Sequence, residues 1–426
     1  MALDPQEFKK RRAQREQERQ ARAARVRRTR IKLAVAALVL VGLAALIVTV
    51  ARQKPGQETT PPQTTEALQT EAATQPATET EEKPDTVIRI AAAGDLNIND
   101  AVVAAGGSTF DYSGVFMDIA HLLGDADITA LNLEGVLTGA PYGSTGSAPP
   151  ALLDALVDAG VDLVQLANSY SVHKGMAGLA ATLSAVRTAG LEPLGAYASN
   201  EEFKAAKGYT VKNVNGVKVA FMAFTKGMNG MALPAGSEHC VNVLYTDYAT
   251  TYQDVDQEKI LSIVNAAKKE SPDLMVAMLH WGSEYNDTIS TSQTAILELL
   301  QENGVGVILG THSHYVQQML YDQEKGTFAT YSLGDFLSDA GRSGTEYSVI
   351  LELEITKDGE TGKTGVTGYS YTPIFVQAEE GKPLRLLRIE PAMAAYEQGF
   401  IDRVSDSTYS AMQYAKDRIE SRVKGE

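Results

Sequence analysis

Three of the six histidines in this chain of 426 residues stand where short apolar runs stop. Leu274 to Leu279 ends in His280-Trp281-Gly282-Ser283-Glu284, and Val305 to Leu309 ends in Gly310-Thr311-His312-Ser313-His314. Runs of that length read as buried strands, which have no use for a polar cluster at their ends. If the chain stays extended from Thr311 to His314, the two-residue spacing sets both imidazoles on one face, where they could converge on one ion. Other runs end the same way. Val87 to Ala93 ends in Gly94-Asp95-Leu96-Asn97, Ile128 to Leu131 leads into Asn132-Leu133-Glu134-Gly135, and Asp162 to Leu166 leads into Ala167-Asn168-Ser169-Tyr170. Val217 to Phe224 ends in Thr225-Lys226-Gly227, and Thr327 to Ser332 leads into Leu333-Gly334-Asp335-Phe336. Asp, Asn, Glu and His without a thiolate form a borderline-hard donor set suited to Mn, Fe, Zn or Mg. A pair of such ions would polarise a phosphoryl oxygen and acidify a bridging water. The candidate metal ligands are therefore Asp95, Asn132, Glu134, Asn168, His280, His312 and His314, with His280 and Glu284 as candidate catalytic groups. Plainer readings stay open beside this one. Gly-Asp makes ordinary turns, a single strand-end histidine is often structural, and Asn168 could cap the turn that follows it.

These groups need elements that bring them together. Ser290 or Thr291 can cap a helix whose Ile296, Leu299 and Leu300 share a face, and Asn303-Gly304 is a stop signal. The result is strand, helix, strand. A right-handed crossover makes the two strands parallel, so His280 and the His312/His314 pair emerge at one sheet edge, the carboxyl edge where open α/β sheets bind ligands. Further helices are expected at Pro149 to Ala159, Gly178 to Ala189 and Gln257 to Lys269. After Gly341 the pattern changes to alternation, as from Tyr347 to Ile355, and the Lys357-Asp358-Gly359 turn implies antiparallel hairpins. Residues 341 to 392 read as the far side of a mixed or two-sheet core, and Ser405 to Val423 as a terminal helix packed by Met412 and Ile419. Trp281 reads as a wall of the cleft.

Composition divides the chain. Residues 1–32 carry 12 Lys/Arg against 4 Asp/Glu, which leaves a net charge of −23 on the remainder. That disfavours nucleic acid as a partner. Leu33 to Ala51 is uncharged and long enough to cross a bilayer as a helix, and the cations before it keep the amino terminus in the cytoplasm and send the rest outside. A cleaved signal peptide is the competing reading, but the n-region is long and no convincing small-x-small site precedes Arg52. Residues 52–86, rich in Thr, Glu, Gln, Pro and Ala, have little to bury and read as a disordered stalk. Residues 87–400 form the expected folded domain and residues 401–426 the terminal helix. Cys240 is the only cysteine, so no internal disulfide exists.

Taken in order, Gly94-Asp95, Asn132-Leu133-Glu134, Ala167-Asn168, His280-Trp281-Gly282-Ser283-Glu284, Gly310-Thr311-His312-Ser313-His314 and Tyr331-Ser332-Leu333-Gly334-Asp335-Phe336 resemble the CapA proteins of poly-γ-glutamate capsule synthesis, a family related to the calcineurin-like metallophosphoesterases. The resemblance spans about Val87 to Asp339. It implies a four-layer αββα sandwich behind the membrane anchor, and a role in making, exporting or anchoring polyglutamate at the cell surface beside other capsule-synthesis proteins. A metal-dependent phosphoesterase, or a binding module without catalysis, are the alternatives. Two departures from the family pattern bear on chemistry. Its usual Asn-Asn-His reads Asn168-Ser169-Tyr170 here, and a tyrosine is a poor substitute for a histidine acid near neutral pH. The related phosphoesterases' Asp-x-His reads Asp95-Leu96-Asn97, so one imidazole is absent, with His173 a possible stand-in. An acidic domain would also repel a polyglutamate chain unless a basic patch or bridging cations intervene; Lys226 and Arg342 lie near strand ends but read as ordinary solvated residues.

Overall fold

Alternation along the strands dictates the layering. In the computed structural model, which describes residues 83–143, 146–379, 382, 384–400 and 404–426, fourteen strands form two sheets. In chain order these are β1 (Thr86–Asn97), β2 (Ile128–Glu134), β3 (Leu163–Gln165), β4 (Glu192–Leu194), β5 (Tyr209–Val214), β6 (Val217–Thr225), β7 (Leu274–His280), β8 (Val307–Thr311), β9 (Met319–Asp322), β10 (Thr327–Thr330), β11 (Asp335–Leu337), β12 (Tyr347–Lys357), β13 (Thr364–Gln377) and β14 (Arg385–Arg388). The first sheet runs β14-β13-β12-β1-β2-β3-β4, with β11 also paired to β1; the second runs β5-β6-β7-β8-β10-β9. Strands β1 to β4 are parallel, and so are β6, β7, β8 and β10. The antiparallel members lie outside these parallel sets, β12 to β14 in one sheet and β5 and β9 in the other.

Successive side chains of a strand point to opposite faces, so a strand buried on both sides feeds two cores. Ile88, Ile90, Ile128 and Ala130 of the first sheet meet Val219, Phe221, Val276, Met278 and Leu309 of the second in one shared core. The intervening residues face outward. Leu131 and Leu133 pack on helices Ala151–Ala159 and Gly175–Ala189, whereas Met275, Ala277 and Ile308 pack on helices Gln257–Lys268 and Thr291–Glu302. Helix, sheet, sheet, helix is the resulting order of layers.

The expected helices form with end points shifted by a few residues. Ser290 makes a full capping box with Gln293, the arrangement its position before the apolar stripe implies. Strand β12 alternates as read, with Tyr347, Val349, Leu351, Leu353 and Ile355 in the shared core. The terminal helix Asp406–Lys424 is no separate piece, since Met412, Ala415, Ile419 and Val423 join that same core. Residues from Pro84 onward therefore cluster as one unit. Among the described residues no helix is long and apolar enough to cross a membrane; the basic segment 1–32, the apolar segment 33–51 and nearly all of the stretch 52–86 lie outside them.

Leu351 is fully buried between the sheets. Leu351→Ala is expected to cost about 2–5 kcal/mol, read as a lower urea midpoint at unchanged slope.

Candidate metal centre

Because Ile128 and Ala130 point into the shared core, Asn132 and Glu134 point the same way from the carboxyl end of β2, where the apolar filling stops. By the same parity His280 follows Val276 and Met278 inward from β7, and Thr311 follows Val307 and Leu309 from β8. The two sheets thus bring their polar strand ends to one seam. Asp95 reaches it through a register shift in β1 and lies level with Asp335 of β11. Each of these aspartates follows a glycine, and Gly94 is needed, since a Cβ there would stand 1.8 Å from the Gly334 carbonyl oxygen. That oxygen accepts from the Asp95 N–H at 3.0 Å. At Gly310 an added Cβ would lie 2.0 Å from the Tyr331 oxygen, so the His312 loop depends on glycine in the same way.

Two groups of potential ligands result among the described residues, Glu134 with His280 and His312, and Asp95 with His314 and Asp335; the donor atoms within each lie within 4.8 Å of one another. The groups adjoin, with Asp95 Oδ1 3.9 Å from His280 Nδ1 and the His280 and His312 rings 4.3 Å apart. Five of the seven ligands expected from sequence are here, together with Asp335. Its signal was present in the Gly334-Asp335 run end, which repeats Gly94-Asp95.

The remaining two, Asn132 and Asn168, lie at the same place and link its strands through hydrogen bonds. Asn168 Nδ2 donates to Asn132 Oδ1 at 3.0 Å and to the Leu133 carbonyl at 2.7 Å, while Asn168 Oδ1 accepts from the Tyr170 N–H. Asn132 Nδ2 in turn donates to Asp95 Oδ1 at 2.6 Å. Both amide oxygens are engaged by protein donors.

The loop carrying His312 and His314 is not extended, which corrects the expectation of two imidazoles on one face. Strand β8 ends at Thr311, and His312 and His314 have positive φ of 88° and 60°. Their rings stand 6.2 Å apart and join different groups. Glu284 is exposed and lines an open cleft of about 180 Å³ with Ser169, Lys226 and His312, outside both ligand groups. His280 is buried, its Nδ1 near Thr311 Oγ1 and Asn132 Nδ2 and its Nε2 3.0 Å from Ser169 Oγ. Trp281 does not wall the cleft. Its parity turns it outward, where it stacks on Tyr331 and donates to the Tyr331 carbonyl in the core under the helices. His173 packs on Tyr170 at 5.1 Å and belongs to neither group.

Burial and neighbouring charge set the protonation states. Burial holds His312 well below the usual imidazole range, aided by His280, Lys226 and His314. Burial opposes a charge on His314 too, but the Asp335 hydrogen bond at 2.7 Å and the surrounding carboxylates raise it to about 10. Asp335 is pushed up to about 7 by burial, against the pull of His314. Asp95 is raised by burial and by Glu134, whereas Glu134, also subject to burial, is held low by His280, His314 and Ser169. The Tyr170 phenol is raised by burial and by Glu134 and Glu284, so near neutral pH it can donate a proton in a hydrogen bond but not serve as a base.

The donor set fits divalent cations. Glu134 Oε2 and His312 Nδ1 are buried without a hydrogen-bond partner, a costly state for polar atoms unless a ligand completes them. All six ligand groups are oxygen or imidazole nitrogen, the chemistry of Mn, Fe, Zn or Mg.

Comparison with known proteins adds a family. Residues 89–340 match the family model described as bacterial capsule synthesis protein PGA_cap. The capsule biosynthesis protein CapA of Bacillus anthracis is 29% identical over 238 residues, which is 56% of this chain and 53% of that protein. The PGA biosynthesis protein CapA of Bacillus subtilis strain 168 is 28% identical over 236 residues, 55% of this chain and 58% of that one. The chain thus spans about half the length of the curated relatives it matches. Similar solved structures include the calcineurin-like phosphoesterase YfkN of Bacillus subtilis, 15% identical with a TM-score of 0.41 over 78% of this chain and 100% of that one. A putative 5′-nucleotidase of Staphylococcus aureus is 13% identical, with a TM-score of 0.43 over 78% of this chain and 58% of that one. Likenesses of that degree carry no argument about function.

A cation bound at the second group would have to displace the protons of Asp335, below about 7, and of His314, below about 10. Manganese affinity measured by calorimetry is therefore expected to rise from pH 6 to pH 8; a flat or falling profile would contradict these protonation states.

Proposed function

This chain belongs to the bacterial capsule synthesis protein family PGA_cap, and from that premise we propose that it serves the making, export or anchoring of a poly-γ-glutamate capsule through a two-cation cleft held outside the cell membrane. One observation carries the cleft: two adjoining groups of three ligands at the seam between the sheets, with the buried Glu134 Oε2 and His312 Nδ1 lacking any protein partner. Glu134, His280 and His312 would hold one cation, and Asp95, His314 and Asp335 the other. When bound, such a pair supplies Lewis-acid polarisation of a phosphoryl or carbonyl oxygen and a means of acidifying water.

The other side chains do the positioning. Thr311 and Asn132 fix one edge of the His280 ring and Ser169 the other. Asn168 holds Asn132, which holds Asp95. The Tyr170 phenol stays protonated and offers a donor where relatives of the resembled family place histidine. A second reading, a metal-dependent hydrolase acting on an exported substrate, is favoured by the open cleft beside His312, with Glu284 on its wall as the exposed acid or base. A surface binding module with no turnover is the third.

The apolar segment 33–51 with its upstream cations supports a single membrane span with a cytoplasmic amino terminus. The membrane and other capsule-synthesis proteins would then be its partners. Protease added to intact cells is expected to remove the folded domain and spare an amino-terminal tag; a protected domain would sink the proposed orientation.

Elemental analysis of the purified chain equilibrated with manganese should find up to two ions per molecule, with at least half lost in His312→Ala and in Asp335→Ala. A wild-type chain that takes up none refutes the cation cleft. Hydrolysis of bis(p-nitrophenyl) phosphate by wild type, lost in His312→Ala, would select the hydrolase. In a host that makes poly-γ-glutamate but lacks its own protein of this family, wild type should restore surface polymer and both variants should not.

A further inference from the structure

Two basic side chains lie near this site, Lys226 in the cleft with His312 and Arg342 one aromatic ring away from His314. Lys226 follows the end of β6 and lines the cleft with His312, Ser169 and Glu284. Its backbone N–H donates to the His280 carbonyl at 2.8 Å, its Nζ donates to the Gly282 carbonyl at 2.7 Å, and it lies 4.6 Å from the centre of the Tyr252 ring. An ammonium has three donors, so the Gly282 bond leaves two for an acceptor in the cleft. On the other side the Arg342 guanidinium lies 4.0 Å from the Tyr285 ring centre, and Tyr285 stacks on His314 at 4.8 Å. The exposed arginine thus rests over an aromatic ring, and among the described residues its N–H groups make no side-chain hydrogen bond that would keep them from an oxyanion. Among the described residues, neither cation has a carboxylate within ion-pair distance.

Lys226 is also partly buried, which pulls its pKa down from the ordinary lysine range, although Glu284 opposes this. The chain after residue 32 carries a net charge of −23, so an anionic ligand approaching this rim needs local positive charge to overcome the general repulsion. The sequence alone placed both residues among ordinary solvated ones. In the fold Lys226 lines the cleft beside His312, and Arg342 lies over the ring that stacks on His314.

We propose that Lys226, on the wall of the cleft, and Arg342, over the Tyr285 ring that stacks on His314, bind anions at this rim and together admit a substrate bearing carboxylates or phosphates. This rests on the two-cation reading above. A carboxylate of a glutamyl chain and a phosphate present the same oxygen acceptors to an ammonium and a guanidinium, so the two sources are separated by the probe.

The test uses the full chain loaded with manganese, with poly-γ-glutamate in one calorimetric arm and inorganic phosphate in the other. Lys226→Gln and Arg342→Gln are each expected to keep the manganese content of wild type and to weaken binding of the anion that wild type prefers by ten-fold or more, whereas Lys226→Arg keeps most of it. A loss confined to the polymer arm assigns carboxylates; a loss in the phosphate arm assigns a phosphoryl group. Binding at wild-type strength by both glutamine variants, with cations retained, overturns the proposal. So does a cation-loaded wild type that binds neither anion. A wild type that takes up no cation overturns the two-cation reading and this inference with it.

Discussion

A single buried carboxylate registers the two sheets. Asp95 Oδ1 accepts from Asn132, on the neighbouring strand of its own sheet, and Oδ2 accepts from the backbone N–H of His312, at the end of a strand in the other sheet. No part of Asp95 is exposed to solvent. A carboxylate so placed is tolerable only when its oxygens are satisfied, and losing one partner would leave a buried charge uncompensated. The sheets therefore cannot slide past one another at this end without breaking it. His280, His312, His314 and Glu134 inherit their positions from that constraint, as does Asp335, level with Asp95 on β11.

The apolar layer between the sheets explains why the chemistry sits at its rim. Along β2, β7 and β8 the inward positions are hydrophobic until the last residues, then become Asn, Glu, His and Thr without any change of parity. The polar groups gain a dry, rigid setting from the core beneath them, where electrostatic interactions are stronger than in water. The same dryness makes the cluster costly. Three carboxylates and three imidazoles share a few ångströms, and their protonation states are pulled in opposite directions by burial and by one another. Divalent cations, where bound, would relieve much of that tension.

The part of the chain beyond the family match is not an appendage. Strand β12 pairs with β1 over seven residues, from Thr86 to Ala92, and supplies Val349, Leu351 and Leu353 to the shared core. The helix Asp406–Lys424 adds Met412, Ile419 and Val423 to it. The antiparallel half thus braces the strand that carries Asp95. If the proposed role in capsule synthesis holds, this acidic domain would meet a polyanionic polymer only through local exceptions to its own charge. Lys226, on the wall of the cleft beside His312, is one such local exception.

Much was legible before any coordinates. Period-two and helical patterns place most elements within a few residues, because apolar periodicity is a local property of the chain. Polar run ends singled out Asp95, Glu134, His280, His312 and His314 as candidates, because polar clusters recur where buried apolar runs stop. Three things were decided by tertiary structure. The seam between two sheets, rather than the edge of one, assembles the site, and pairing across it depends on packing that no local pattern encodes. The left-handed backbone at His312 and His314 parts two neighbours in sequence into different ligand groups, since loop conformation answers to the strands and glycines around it. And the roles of Asn132, Asn168, Asp335, Lys226 and Arg342 follow from what each side chain touches, a matter of distances between residues far apart in the chain, whereas their types and spacing would have suited several roles equally.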